Sequence, residues 1–299
     1  MGTAAGGSTD SGMKQASPAL SRMMVGMALR RLREARGISR EAACQAIRAS
    51  ASKISRLELG RTSLKLRDVA DLCTLYGVTD HIERATLLGM ARWANSAEWW
   101  HPYRDLIPGW FEPYLGLEQA ATVIRGYEPQ FVPGLLQTPA YARAVIEFGH
   151  GASSQREIER RVELRMRRQH ILHRPQPTHL WALIDEAALR RLVGGRTTMS
   201  AQLGHLLDAC DMDHVTIQVL TFRGGGHAGG GAVTILRLPD PELPDVVYLE
   251  QLTTAIYPDR PADIDYYRHV MNLLTFQAEP PDATPAILYQ ILADVRGGR

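Results

Sequence analysis

The chain has 299 residues, 45% of them hydrophobic, and a formal net charge of +2, which is core material for two domains. No apolar run approaches about 18 residues, so no membrane span is expected. Cys44, Cys73 and Cys210 have neither zinc-ligand nor disulfide spacing, and an odd count in apolar surroundings fits a reducing, cytoplasmic setting.

Charge divides the chain more sharply than its total suggests. Residues 20–96 hold 14 Lys/Arg against 7 Asp/Glu, a net of +7, whereas residues 97–299 hold 19 against 24, a net of −5. Basic charge is what phosphate neutralisation requires, and it is confined to the first third. The acidic remainder is not expected to bind a polyanion non-specifically.

Residues 1–19 are small and polar, and are expected to form a disordered tail. They lack the charged start and apolar stretch of a signal peptide. Residues 20–96 are expected to form a five-helix domain. In its first helix Val25, Ala28, Leu29 and Leu32 fall at offsets 0, 3, 4 and 7, an amphipathic helical pattern. Residues 38–60, ISREAACQAIRASASKISRLELG, then predict a helix, a tight turn and a second helix. Ser39 and Ser50 are suited to cap the two, because a serine hydroxyl accepts a free N–H of the first turn. Small residues Ala42, Ala43 and Cys44 allow a close helix crossing. Ile54 and Leu57 form the buried face of the second helix and leave Ala51, Ser52, Ser55 and Arg56 facing outward. Such a helix fits the major groove, where base edges carry a readable donor and acceptor pattern. The remaining helices are placed at 64–76, closed by Gly77, and at 80–94, opened by a Thr79 cap.

Ser50, Ile54, Ser55, Arg56, Leu57, Glu58 and Gly60 give the segment a resemblance to the helix-turn-helix of the phage-repressor or xenobiotic-response-element class. The resemblance implies double-stranded DNA as the partner, with Ala51, Ser52, Ser55 and Arg56 as base-facing residues. Arg56 has the greatest discriminating power, since a guanidinium pairs bidentately with guanine. Arg40, Lys53 and Arg61 are expected to clamp phosphates, fixing register without reading sequence. Glu58 is expected to serve an internal salt bridge or cap. One residue departs from the class: Arg48 stands where glycine is usual, and must take the turn's backbone angle without glycine's freedom.

Residues 97–119 are expected to be an aromatic, proline-rich linker. The stretch WWHPYRDLIPGWFEPYLGL holds three tryptophans and three prolines, and the prolines break any long helix. Residues 120–299 alternate helices with β-branched, period-two stretches. Strands are placed at 122–127, 179–184, 215–222, 232–238 and 246–252, and the two closing helices at 262–277 and 285–295. The fold class expected is an all-α helix-turn-helix domain of five helices followed by a mixed α+β domain with about five strands.

YEPQFVPGLLQTPAYAR (127–143), RRQHIL (167–172), DEAALRRLVGG (185–195), HAGGG (227–231) and VVYLE (246–250) make this second half similar to the C-terminal domain of WhiJ-like bacterial regulators. That resemblance implies a transcriptional regulator, paired in such systems with a small BldB-like protein in an antitoxin-like arrangement. The loop GGGHAGGG (224–231) sets six glycines around His227 between two strands. No Lys-Ser/Thr pair follows it, so it is not a phosphate-cradling loop. Glu128, Gln137, Arg165, Asp185, Glu186, His227 and Glu250 are the candidates for a ligand or partner pocket. The arginine-rich helix 155–172 is expected to be solvated and ion-paired. His205, Cys210 and His214 lack a metal-ligand pattern, and no metal or cofactor is expected. With no nucleophile–base spacing in sight, the expectation is a non-enzymatic, cytoplasmic, homodimeric DNA-binding regulator whose second domain senses a small molecule or a small partner protein.

Overall fold

The computed structural model describes residues 17–297. The tail expected over 1–19 lies outside the described residues except for its last three, which are ordered. Ser17 caps α1 (Pro18–Ala35), its hydroxyl accepting the Leu20 N–H at 3.2 Å, and Pro18 fills the first turn, where a missing N–H costs nothing. The chain forms two compact units. One comprises residues up to 101 together with 112–120, and the other comprises 102–111 and 121 onward.

In the first unit α1 is followed by α2 (Arg40–Ala46), α3 (Ala51–Glu58), α4 (Leu66–Leu75) and α5 (His81–Trp93). Ser39 and Ser50 cap α2 and α3 as the sequence predicts. The cap of α5 is Asp80, not Thr79: its carboxylate accepts the Ile82 N–H at 2.8 Å. Both residue types cap helices, and the choice falls to the one whose side chain reaches the second N–H of the helix. Val25, Leu29, Ala43, Ile54, Leu57, Val69 and Leu72 make the shared core. Two glycines let its helices approach. A Cβ on Gly26 would stand 2.5 Å from the Leu57 carbonyl oxygen, so α1 crosses the end of α3 at backbone distance. Gly60, at φ +66°, ends the turn after α3 against Met23. Arg48 adopts φ 51°, the left-handed conformation a non-glycine residue rarely takes. A sixth helix, α6 (Glu112–Ala120), also belongs to this unit. Its Gly116 lies so close to α1 that a Cβ would meet the Ala19 Cβ at 2.4 Å.

The second unit is a six-stranded mixed sheet in the order β3-β2-β1-β4-β5-β6. β1 (Val123–Glu128), β2 (His179–Asp185) and β3 (Val215–Leu220) run parallel. They are joined through helices α7 (Pro139–His150) and α8 (Gln155–Arg168), then α9 (Glu186–Arg190) and α10 (Gly195–Cys210). β4 (Val233–Arg237) and β5 (Val246–Glu250) continue antiparallel. The sixth strand, β6 (Ala255–Ile256), has two residues, too few for a period-two pattern to reveal. α11 (Pro261–Gln277) lays Val270, Met271 and Leu274 on Tyr127, Leu183, Ile235 and Val247. α10 and α12 (Thr284–Gly297) pack on each other and on β3. The free edge of β3 is closed. Its Val219 and Ile217 carbonyls accept from the Glu279 N–H and the Thr284 hydroxyl, which blunts a template for strand addition. Among the described residues no helix is long and apolar enough to cross a membrane.

Candidate functional site

α3 presents two kinds of side chain. Ile54 and Leu57 are fully buried, while Ala51, Ser52 and Arg56 are exposed and Ser55 is half-buried. The Ser52 hydroxyl lies 3.0 Å from that of Ser50, and Arg56 Nε donates to the Ser52 carbonyl at 3.3 Å. The exposed guanidinium is thereby held along the helix's outer face. Glu58 is buried with Arg33, which donates to it from Nε at 2.5 Å and Nη2 at 3.0 Å and also reaches the Ile38 carbonyl at 3.0 Å. This pair ties α1 to α3 and to the start of the segment before α2. Bidentate pairing of this kind suits a buried carboxylate, whose remaining lone pairs must be satisfied.

The three residues expected at phosphates differ in their surroundings. Arg40 is partly exposed, its Nε 3.7 Å from Glu58. Lys53 Nζ is engaged by Asp68 of α4. Arg61 closes the turn after α3, its N–H donating to the Arg56 carbonyl at 2.8 Å.

In the second unit strand direction gathers most of the remaining candidates. β4 runs against β1 and β5 against β4, so the carboxyl ends of β1, β2, β3 and β5 share one edge with the loop that enters β4. That edge is where open α/β sheets bind ligands. Gly126 and Tyr248 both lie opposite Thr234, so Glu128 and Glu250, two residues further on, are level across β4. By the pleat they share one face of the sheet. Tyr127 and Asp185 fall on the other.

The candidates therefore form two groups. In the first, His227 Nε2 lies 3.2 Å from Asp185 Oδ2 and 3.3 Å from the Tyr127 hydroxyl, and its Nδ1 accepts the Gly229 N–H at 3.2 Å. That acceptor role places the neutral ring's proton on Nε2, toward Asp185. A Cβ on Gly229 would meet the Tyr127 ring at 2.5 Å, so the glycine loop lies directly on the aromatic face. Burial, then Asp185, push the Tyr127 phenol up to about 12. Asp185 also caps α9 through the Ala187 N–H at 2.8 Å.

In the second group burial first, and then the neighbouring Glu250, push the Glu128 carboxyl up to about 8, against the pull of Arg165 and Arg168. Glu250 accepts from the Tyr248 hydroxyl at 2.9 Å. Arg165 donates to Gln137 at 3.0 Å, and Gln137, buried, donates to the Val132 carbonyl at 2.7 Å. Glu186 joins neither group: its carboxylate accepts from Arg190 and from the Phe222 N–H at 2.9 Å.

Residues not singled out from the sequence complete both sites: Asp68, Arg33, Tyr127, Arg168 and Tyr248. Arg33 and Glu58 had left a signal, each falling four residues after a buried apolar residue of its helix, Leu29 and Ile54. The basic helix α8 also holds more than solvent. Arg160 pairs bidentately with Asp105 and donates to the Pro102 carbonyl at 2.8 Å, and Arg161 donates to the Leu106 carbonyl at 3.0 Å. Arg168 lies over the Phe111 ring at 5.2 Å.

Residues 25–87 match the family model described as a helix-turn-helix domain. Residues 111–290, more than half of the chain, match the model described as a domain of unknown function, DUF5753. The chain belongs to the DUF5753 family. The match begins at Phe111, so the DUF5753 region takes in α6, which packs with the helix-turn-helix unit, as well as the sheet and the first half of α12. No curated protein and no solved structure matches the chain. The helix-turn-helix match and the exposed face of α3 make the first unit a DNA-binding domain.

Proposed function

We propose that this chain is a sequence-specific, DNA-binding transcriptional regulator that works as a homodimer on two half-sites about one helical turn apart. The observation that carries the reading is the outward face of α3. Ser52 and Arg56 are exposed on a helix whose inner face is fully buried, in a unit carrying net +7 over residues 20–96. Ala51, Ser52, Ser55 and Arg56 face the bases, while Arg40 and Arg61 contact phosphates. Lys53 joins them only when it leaves Asp68.

The second unit is read as a sensor rather than an enzyme. Its acidic residues are largely committed within the fold: Asp185 to a helix cap and His227, Glu186 to Arg190 and a backbone N–H. A small-molecule effector at the carboxyl edge shifts the regulator only if it binds the DNA-competent and incompetent states with different affinities. A second reading is antitoxin-like, with a small BldB-like protein covering that edge. It is favoured by Phe222 and Leu252, which follow β3 and β5 on the same edge and are 60% and 102% exposed.

Selection of the full-length chain against a randomised DNA pool tests the leading reading. The expected result is enrichment of a two-fold motif with half-sites about ten base pairs apart. Uniform recovery of all sequences would overturn it.

A further inference from the structure

We propose that the solvent-facing row of α11 is a self-association surface, on which α11 of a second copy of this chain packs antiparallel about a two-fold axis at His269. This inference rests on the reading of the chain as a homodimer, and it names the surface through which the copies meet.

α11 carries two rows of side chains. Val270, Met271 and Leu274 pack on the sheet. Ala262, Tyr266, His269, Leu273 and Phe276 form a second row that is exposed throughout. Its alternating steps of four and three residues are those of a helix seam laid against another helix. Phe276, Tyr266 and Leu273 are 90%, 64% and 40% exposed. The turn at 222–224 abuts the end of this helix, where a Cβ on Gly224 would stand 3.9 Å from the Gln277 carbonyl oxygen. It adds Phe222, 60% exposed. A buried aromatic side chain removes about 150–250 Å² from water, so at these exposures the three aromatics offer roughly 300–500 Å² per copy. That is about half of the ~800 Å² per partner found in stable complexes, before Leu273, His269 and the flanking polar groups are added. Apolar exposure gathered in this way marks an association site.

The flanking polar groups select the occupant and its direction. Asp263, Asp265 and Arg268 all lie in the first half of α11, and residues 269–277 contain no Asp, Glu, Lys or Arg. A parallel pair would set the two Asp265 carboxylates level with each other. An antiparallel pair centred on His269 instead sets Asp265 level with Asn272 of the other copy. Asp265 is exposed, with Arg268 3.5 Å away. Asn272 is already oriented: its Oδ1 accepts from Arg125 of β1 at 2.9 Å, so the amide presents Nδ2 as its donor. An amide N–H donating to a carboxylate makes a charge-assisted bond, and the two-fold axis makes it twice. The stripe is thus complementary to itself, as a closed two-fold interface requires. Antiparallel packing also sets the opposite ends of the two helix dipoles side by side.

Sedimentation equilibrium of the full chain without DNA, over a wide range of concentration, gives the dimer dissociation constant. Wild type is expected to dimerise. Leu273→Glu/Phe276→Glu places four carboxylates in the seam and should weaken the dimer at least a hundredfold, whereas Ile82→Glu, on the exposed side of α5, should leave it unchanged. Disulfide trapping reads the direction on chains whose apolar row is intact. Oxidation of Asp265→Cys chains mixed with differently tagged Asn272→Cys chains should give the mixed disulfide at least fivefold over either like pair. Wild type, with Cys44, Cys73 and Cys210 in place, should give none.

A wild-type dimer that survives Leu273→Glu/Phe276→Glu overturns the surface and leaves the homodimer reading standing. Like pairs of Asp265→Cys in excess over the mixed disulfide overturn the antiparallel direction. If the double variant fails to fold, absence of the mixed disulfide overturns the proposal by itself. A monomeric wild type overturns it too: with a two-fold DNA motif selected, the copies meet only on DNA, and without one the homodimer reading falls as well.

Discussion

The two units handle charge in opposite ways. In the DNA-binding unit the charges that hold the fold are paired inward. Arg33 and Glu58 are 8% and 2% exposed at their side chains, and Lys53 is engaged by Asp68, whereas Arg56 and Ser52 face solvent. At the carboxyl edge of the sheet one side chain serves both ends. Asp185 caps α9 and orients His227, and Arg168 stacks on Phe111 while acting on Glu128. A surface organised in the first way can change its specificity without touching stability. One organised in the second way cannot, because altering the site alters the fold around it.

The sharpest way to break that contrast is to remove a structural charge from the first unit. Glu58→Ala leaves Arg33 buried without its partner and should cost about 3–5 kcal/mol in denaturant unfolding, taking DNA binding with it. An unfolding midpoint near wild type would show the pair to be dispensable. Gly26→Ala comes next: its methyl would meet backbone carbonyl oxygens at 2.5 and 2.7 Å, which do not yield as a side chain does. A loss of about 1–3 kcal/mol is expected.

The second unit should show mixed effects at its edge. Asp185→Ala is expected to lose about 1 kcal/mol for the helix cap and also to speed exchange of the 224–231 loop. His227→Ala should speed that exchange alone. Equal stability of the two variants would argue that the cap does not matter. Glu128 adds a pH dependence of definite sign. Its carboxyl rises from 4.5 to about 8 on folding, so between those values the folded state holds the extra proton and stability falls as pH rises. Glu128→Gln should flatten that part of the stability profile.

The smallest effect sharpens the first unit's side of the comparison. Asp68→Asn releases Lys53, which should then contact a phosphate and steepen the salt dependence of DNA binding by about one unit of slope. An unchanged slope would mean that Lys53 stays turned toward α4.

Much of the first unit was legible because its information is local. Caps at Ser39 and Ser50, and buried pairs such as Ile54 and Leu57, are three- and four-residue relations that one stretch of sequence contains. Even the Arg33–Glu58 pair was within reach, since each charge continues an apolar row of its helix. In the sheet the strands could be placed, but not their order. That Glu128 is level with Glu250, and faces away from Asp185, depends on the registers of β1 with β4, β4 with β5 and β1 with β2, the first of which joins residues more than a hundred positions apart. Nor does composition show that the arginines of α8 hold residues 102–111; the same helix reads equally well as a solvated one. The start of α5 shows the limit at short range, where Thr79 and Asp80 are both capping residues and only backbone geometry selects the aspartate.

The separation of reading from folding in the first unit is tested most directly by Arg56→Ala, compared with wild type by DNA selection and by denaturant unfolding of the same preparations. The predicted result is a relaxed preference at one base position per half-site, worth about 1–3 kcal/mol, with stability within about 0.5 kcal/mol of wild type. An unchanged base preference, or a loss of binding that tracks a loss of folding, would contradict the account.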